Sequence, residues 1–348
     1  MNKIVTRISK SNANVSKRRN VKCSLTASIA ALLIGLSGQS AADELKLAHF
    51  SSTKYHLHNE MFLPLAEQLS EATGGATTIR VYPGGELGKG PAKQFDRVID
   101  GVADIVYALP GYTASKFKKT LLVELPGVIP GDADITAKIW DNIDHLDKEF
   151  KRTKLLGLWS SRPGSLLMAN KKIEKMSDLK GLKIRVPSKN TGRVAEAWGA
   201  TAVSMPITQV YTSMETGVVD GALVDTSVLG SFKLGEVTKY VTQGMVGSNS
   251  LFMLVMNRDS WDSLDADTQT KIEELTGREM SLGGNVTMAT SAVKAEEKWL
   301  AGGGELITLS EEAAAEFDAA SSALAEQVIS ELEADGIKAS AWAEALRQ

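Results

Sequence analysis

The chain has one cysteine, Cys23, and it lies ahead of a short apolar run at residues 27–36. A chain cut after that run holds no thiol at all. Disulfides, thiol catalysis and cysteine-ligated metals are therefore excluded together, which suits a compartment where a stray thiol would oxidise. Histidine is nearly as scarce, with His49, His56, His58 and His145 alone, and no H-E-x-x-H occurs. His56 and His58 stand two apart in a loop or helix start, a spacing that does not direct both rings to one ion, so no zinc site is expected. There is no G-x-S-x-G. The glycine-rich run at 83–91 lacks both Gly-Lys-Ser/Thr and the G-x-G-x-x-G order, which leaves a structural turn rather than a phosphate cradle. The ten-residue apolar run is too short to span about 30 Å of hydrocarbon.

What precedes residue 43 is a set of seven cations, Lys3, Arg7, Lys10, Lys17, Arg18, Arg19 and Lys22, with no acid among residues 1–42. A basic start, a short apolar run and the small residues Ser40 and Ala42 form a secretory signal, with cleavage expected after Ala42 and a periplasmic destination. Arg18-Arg19 is the place for a twin-arginine signal, but Asn20-Val21-Lys22 fits that pattern poorly. Removing the seven leader cations from 39 basic residues leaves 32 against 42 acidic ones, a formal charge of −10. Nucleic acid and anionic membrane are thus not expected as partners. An acidic protein that captures anions needs a local positive site.

After the leader, strands alternate with helices: strands at 45–50, 79–82, 105–109 and 154–159, with helices to 72, to 100 and over 134–150. The pattern implies an α/β fold with mainly parallel sheet, whose ligands gather at the carboxyl ends of the strands. The 306 residues beyond the leader exceed one compact core and imply two lobes. Further strands are expected at 201–203, 222–224, 251–256 and 305–308. Helices are expected at 191–198, 208–215, 310–334 and 340–346, and a long one at 266–300, bent at Gly283-Gly284.

The organising stretch is residues 176–225. Lys183-Ile184-Arg185-Val186 alternates as a strand, with Lys183 and Arg185 on one face, and Pro187 stops the ladder. A strand ending just after arginine can present a planar fork of donors at the sheet edge, matched to a carboxylate. On pattern alone an ordinary ion pair, for instance to Asp178, explains Arg185 as well. The blocks from Asp178 to Val186, from Pro206 to Gly217 and Val219-Asp220-Gly221 resemble those of the solute-binding proteins of tripartite ATP-independent periplasmic (TRAP) transporters, and the resemblance runs from about Asp43 onward. It implies a two-lobed periplasmic binding fold of type II kind with a cleft between the lobes and a long bridging helix. Lobe I would comprise 43–162 plus 251–282, and lobe II 163–250 plus 283–348. The residue matching Arg185 grips the ligand carboxylate in that family.

Carried over position by position, the resemblance sketches a pocket. Relatives that take polyhydroxylated acids add a second arginine where Ser165 stands, and Arg162 is three residues off. Phe50 and Leu109 replace positions that are often polar in sugar-acid binders. A sugar hydroxyl buried against them without a partner loses roughly 1–3 kcal/mol, whereas an apolar body gains about 25 cal/mol per Å² buried. The expected ligand is a monocarboxylate with an apolar or aromatic body. Trp159 and Tyr211, with Tyr55, His56, Tyr107 and Tyr112, are candidates to ring it, and Asn249 to face the cleft. Asp225 stands where relatives often have Asn; an acid there either is protonated, bonds a ligand hydroxyl or holds a cation.

The expected function is hinge-closing capture of a small organic acid and delivery to the small and large membrane subunits of a TRAP permease, by a monomer without cofactor or catalysis. Two alternatives remain at this level. One is a receptor serving a membrane sensor or an ATP-driven importer, and the other is a sugar-acid-binding TRAP receptor.

Overall fold

Two sheets carry the molecule, and alternation along their strands decides which side chain enters which core. The computed structural model describes residues 43–131 and 133–348, so the leader reading falls outside the described residues. Eleven strands are found there: β1 Asp43–Ala48, β2 Thr77–Tyr82, β3 Ile105–Ala108, β4 Thr153–Ser160, β5 Ser165–Met168, β6 Lys183–Val186, β7 Thr201–Ser204, β8 Gly221–Val224, β9 Tyr240–Gln243, β10 Leu251–Asn257 and β11 Glu305–Thr308. The first sheet has the order β2-β1-β3-β10-β4 and the second β11-β9-β5-β8-β6-β7.

The expectation of mainly parallel sheets needs one correction in each. β10 runs antiparallel to both β3 and β4, and β5 runs antiparallel to both β8 and β9. These two strands belong to the segments where the chain passes from one sheet to the other, and a returning chain enters from the opposite end. Every residue of β10 is buried, with Phe252, Leu254 and Met256 in one apolar core and Leu251, Met253 and Val255 in the other. Both faces of the first sheet are thus covered, and each core continues onto the second sheet, through Leu223 and Ile184 on one side and Leu167 and Val224 on the other.

Helix starts follow local capping chemistry. Ser188 Oγ accepts from Thr191 N at 3.1 Å at the head of Lys189–Ala197, and Asp134 accepts from Ala137 N at 3.0 Å at the head of Ile135–Asp141. The helix expected over 134–150 is broken into Ile135–Asp141, a 3-10 turn at Ile143–Leu146 and the short Asp147–Phe150. The long helix expected at 266–300 is divided as well, but at Gly277, not at Gly283-Gly284. Gly277 has φ +78° and separates Ala266–Leu275 from the uninterrupted Arg278–Ala301. A left-handed residue breaks the i to i−4 ladder, whereas a glycine pair with helical dihedrals does not.

Gly221 at the start of β8 shows how tightly the second sheet is built. A Cβ there would lie 2.5 Å from both the Leu167 carbonyl oxygen and the Met168 sulfur. Gly221→Ala is expected to destabilise the fold by about 1–3 kcal/mol. Urea unfolding checks this; an unchanged midpoint would mean that β5 shifts freely.

Candidate functional site

Ile184 and Val186 enter the apolar core from one face of β6, so Arg185 between them must leave by the other. It does so into a partly open cavity of about 390 Å³, counting all empty space at the site and the solvent at its mouth. The first sheet contributes Phe50 just past β1, Tyr107 in β3, Leu109 just past it, and Phe252 in β10; the second contributes Val224 and Asp225 at the end of β8. Tyr55, Tyr112, Ile207, Val228, Phe232 and Met288 close the remaining sides. The walls are therefore apolar and aromatic, with the polar groups of Arg185, Asp225, Ser227 and Ser250 set among them.

The aromatic walls are layered. The rings of Phe50 and Tyr107 are 5.4 Å apart at 21°, and those of Tyr107 and Phe252 5.8 Å apart at 7°. Such near-parallel faces stack on one another as a continuous aromatic wall. The Tyr55 and Tyr107 hydroxyls bond each other at 2.7 Å, and burial pushes both phenols above their ordinary range. They are satisfied and neutral.

Arg185 is not satisfied. Only 1% of it is exposed, its Nε donates to the Met205 carbonyl at 2.9 Å, and one terminal nitrogen reaches the Tyr112 hydroxyl at a long 3.4 Å. Among the described residues it has no ion-pair partner, and burial lowers its pKa from the ordinary value, with Tyr112 and Asp225 acting the other way. Asp225 in the same cavity favours the charged guanidinium, and the donors of Arg185 that bond neither Met205 nor Tyr112 are open to a further acceptor. Tyr112 holds this arrangement by also accepting from Ile207 N at 2.9 Å.

Asp225 is 3% exposed, and its Oδ1 accepts from Ser227 N at 3.0 Å. Burial raises its pKa, an effect opposed by the Ser227 bonds. Elsewhere Asn190 donates to the Leu121 carbonyl at 2.7 Å, Ser248 donates to the Glu124 carbonyl at 2.6 Å, and Ser188 Oγ donates to the Glu124 carboxyl. These bonds tie the segment before β4 to the segment after β6 and to the segment before β10.

Of the residues singled out from sequence, Arg185, Asp225, Phe50 and Leu109 meet in this cavity, with Tyr55, Tyr107 and Tyr112. Three do not reach it. Trp159 is fully buried behind the wall, stacked 6.0 Å from Tyr107 and 6.3 Å from Phe252, because its strand position faces the core beneath them. Tyr211 turns its hydroxyl outward to Glu236 at 3.1 Å. Ser165 is buried beside Val224 in the β5–β8 pair but contributes no lining atom. Arg162 is exposed, and neither Asn249 nor His56 lines the cavity; His56 bonds Ser291 at 3.0 Å and burial lowers its pKa to about 4. Among the described residues no group of three or more His, Cys, Asp or Glu side chains is placed to hold a metal ion. Sequence reading missed Phe232, Phe252 and Met288. The alternation of β10 would have given Phe252, while the other two reach the site from helices whose rotation tertiary packing sets.

The two sheets thus face a largely apolar cavity into which one buried guanidinium projects, with the Asp225 carboxyl in the same lining. The chain belongs to the bacterial extracellular solute-binding proteins of family 7, the DctP family, whose model matches residues 47–332. It is similar to the ectoine/5-hydroxyectoine-binding periplasmic protein UehA of Ruegeria pomeroyi, with 30% identity over 56% of this chain and 59% of that one. The chain spans about three-fifths of the length of the curated relatives it matches first. Among solved structures, a TRAP solute-binding protein from a marine metagenome, specific for aromatic acid ligands and in complex with 3-hydroxybenzoate, superimposes with a TM-score of 0.83. It shares 28% identity, over 88% of this chain and 97% of that one. A TRAP solute-binding protein of Rhodoferax ferrireducens with copurified benzoate gives 0.82, with 26% identity over 87% and 96%. The fold is that of the two-lobed TRAP binding proteins, and no helix among the described residues is long and apolar enough to cross a membrane.

Proposed function

We propose that this protein captures a monocarboxylate with an apolar, flat body outside the cytoplasm and delivers it to the membrane subunits of a TRAP permease. The observation that carries this is Arg185, buried with donors to spare in a cavity walled by Phe50, Tyr107, Leu109 and Phe252. The ligand carboxylate completes the guanidinium's hydrogen bonds, and the ring or branched body fills the cavity. Its capture involves no bond making: a thiol is absent beyond residue 42, and Tyr55 and Tyr107 are neutral and bonded to each other. Lobe I is assigned to 43–162 plus 251–282 and lobe II to 163–250 plus 283–348, with closure by a hinge at the two crossings. Residues 1–42 act as the export signal, and the protein works as a monomer.

The aromatic acids held by the two structural relatives support an aromatic body against the aromatic wall, and the absence of an arginine at Ser165 supports a single carboxylate contact. Calorimetric titration with benzoate, phenylacetate, branched aliphatic acids and hexuronates tests the reading. Aromatic or branched monocarboxylates are expected to bind with micromolar or tighter affinity and hexuronates not to bind. Tight hexuronate binding with none of the apolar acids would overturn the ligand class.

A further inference from the structure

Away from the cavity, Glu124 belongs to a ring of hydrogen bonds that joins three parts of the chain. Its segment, Thr120–Glu124, lies in lobe I as assigned above, Ser188 and Thr191 start a helix of lobe II, and Ser248 lies in the second crossing between the sheets. Ser188 Oγ bonds the Glu124 carboxyl, Ser248 Oγ donates to the Glu124 carbonyl at 2.6 Å, and Thr191 Oγ1 stands 3.1 Å from both serine hydroxyls. None of the four is more than 4% exposed. We propose that this ring is a proton-controlled latch of the hinge: opening the lobes releases the proton of Glu124, and ligand exchange therefore quickens as pH rises. The proposal rests on hinge closure between the lobes and not on which acid they hold.

A carboxyl enclosed with hydroxyl and amide partners stays neutral unless a cation answers it. None does here. Residues 244–251 carry no charge, and residues 106–114 bring only Tyr107, bonded to Tyr55, and Tyr112, turned to Ile207 and Arg185. Lys189, beside Ser188, is exposed, and Arg185 directs its donors to Met205 and Tyr112. At the head of Glu124's own segment Lys119 bonds the His145 carbonyl, and Glu149 accepts from Lys119 N and from Thr120. Helix Leu324–Ala334 turns Glu326, Glu331 and Glu333 to Arg347, Arg193 and Ser340 N. Burial pushes the Glu124 pKa up to about 8, against the bonds from Ser188 and Leu251 N–H.

The lobes meet tightly at this point, since a Cβ added at Gly111 in lobe I would stand 2.9 Å from that of Ser188 in lobe II. A lobe that swings away takes Ser188 and Thr191 with it. Water then reaches the carboxyl and its pKa falls back toward the ordinary value of 4.5. The closed form therefore holds more protons than the open form up to about pH 8, and each pH unit in that window favours opening by up to about tenfold.

The first readout needs no ligand. Ile207 N–H bonds the Tyr112 hydroxyl across the cleft at 2.9 Å, so its hydrogen exchange reports opening. After correction for intrinsic rates, its exchange in the wild type should quicken about tenfold or more between pH 6 and 8, and stay level in Glu124→Gln. It should also outpace the β10 core amides, which exchange by global unfolding. The second readout is the dissociation rate of 3-fluorobenzoate from fluorine NMR, or of glucuronate by stopped flow where sugar acids alone bind. That rate should rise by a similar factor in the wild type and not in Glu124→Gln. Ser188→Ala loses the cross-lobe bond but keeps the acid, so it should open faster at every pH and retain the wild-type slope. A purely structural ring would instead let both variants open faster by factors that pH does not change. A level wild-type profile, a slope shared with Glu124→Gln, or Ile207 exchanging no faster than the β10 core would overturn the inference. Failure of every acid to bind, with the Ile207 slope present, would overturn the ligand reading and leave the latch standing.

Discussion

Arg185→Ala is expected to abolish ligand binding while leaving the empty protein as stable as the wild type or more so. The two halves of that result have one cause. Without ligand the guanidinium is buried with a carbonyl and a long tyrosine contact as its partners, so removing it relieves a desolvated charge. With ligand, removing it leaves a carboxylate stranded in an apolar cavity, a loss of about 2–5 kcal/mol, or roughly 30- to 5,000-fold in affinity. Arg185→Lys should not rescue it, because an ammonium cannot reproduce the planar pair of donors and its burial favours the neutral amine. Thermal unfolding with and without a saturating aromatic acid separates the two halves. Ligand at 100 times its dissociation constant adds about 2.7 kcal/mol to the wild type, and the variant should show no shift. A variant that shifts like the wild type would place the anchor elsewhere.

The second large effect lies at Glu124, whose carboxyl is fully enclosed where the segment before β4 meets Ser188. Burial pushes its pKa up to about 8 from an ordinary 4.5, against the bonds from Ser188 and the Leu251 backbone. The folded chain therefore keeps this proton until the pH passes about 8, whereas the unfolded chain releases it above about 4.5. A raised carboxyl pKa makes stability fall as pH rises across that window, by up to about 1.4 kcal/mol per unit. Glu124→Gln cannot ionise. Its advantage over the wild type should be near zero at about pH 4 and grow to about 4–5 kcal/mol above about pH 8. The buried histidines titrate in the opposite sense, His49 being lowered to about 3 and His56 to about 4, but both chains share them and the difference cancels. Urea unfolding at pH 5, 7 and 8.5 measures it. A difference that does not change with pH would mean that water reaches Glu124 in the folded protein.

Arg185 was legible in the sequence because strand alternation and Pro187 fix the face it takes, and the flanking blocks fix its fold context. Phe50 and Leu109 were legible as residues at strand ends. The sequence did not reveal that β5, Ser-Leu-Leu-Met, is a strand: all four residues are buried, and an unbroken apolar run has no period to read. Trp159 was placed by proximity to a strand end, which does not say which face a side chain takes once a bulge lies in the pairing, as it does at Leu254/Val255 opposite β4, while Tyr211 lies on a helix whose rotation the sequence does not give. The break at Gly277 was missed because Thr276-Gly277 sits inside a continuous helical pattern. Only the φ of +78° distinguishes it from Gly283 and Gly284.

The position of β10 has a consequence for how the chain can be assembled and cut. β10 lies between β3 and β4, yet roughly ninety residues separate it from β4, and these build most of the other sheet. Until residue 257 is available, β3 and β4 each present an open edge, the template for pairing with the wrong chain. Neither sheet is a contiguous stretch of sequence, so neither lobe can be made by truncation, and grafting one lobe's specificity onto another protein requires two splices. The same topology makes the first sheet complete only after the second has begun to form. Folding order is thereby written into the strand order, with late, long-range pairing at the centre of the first sheet.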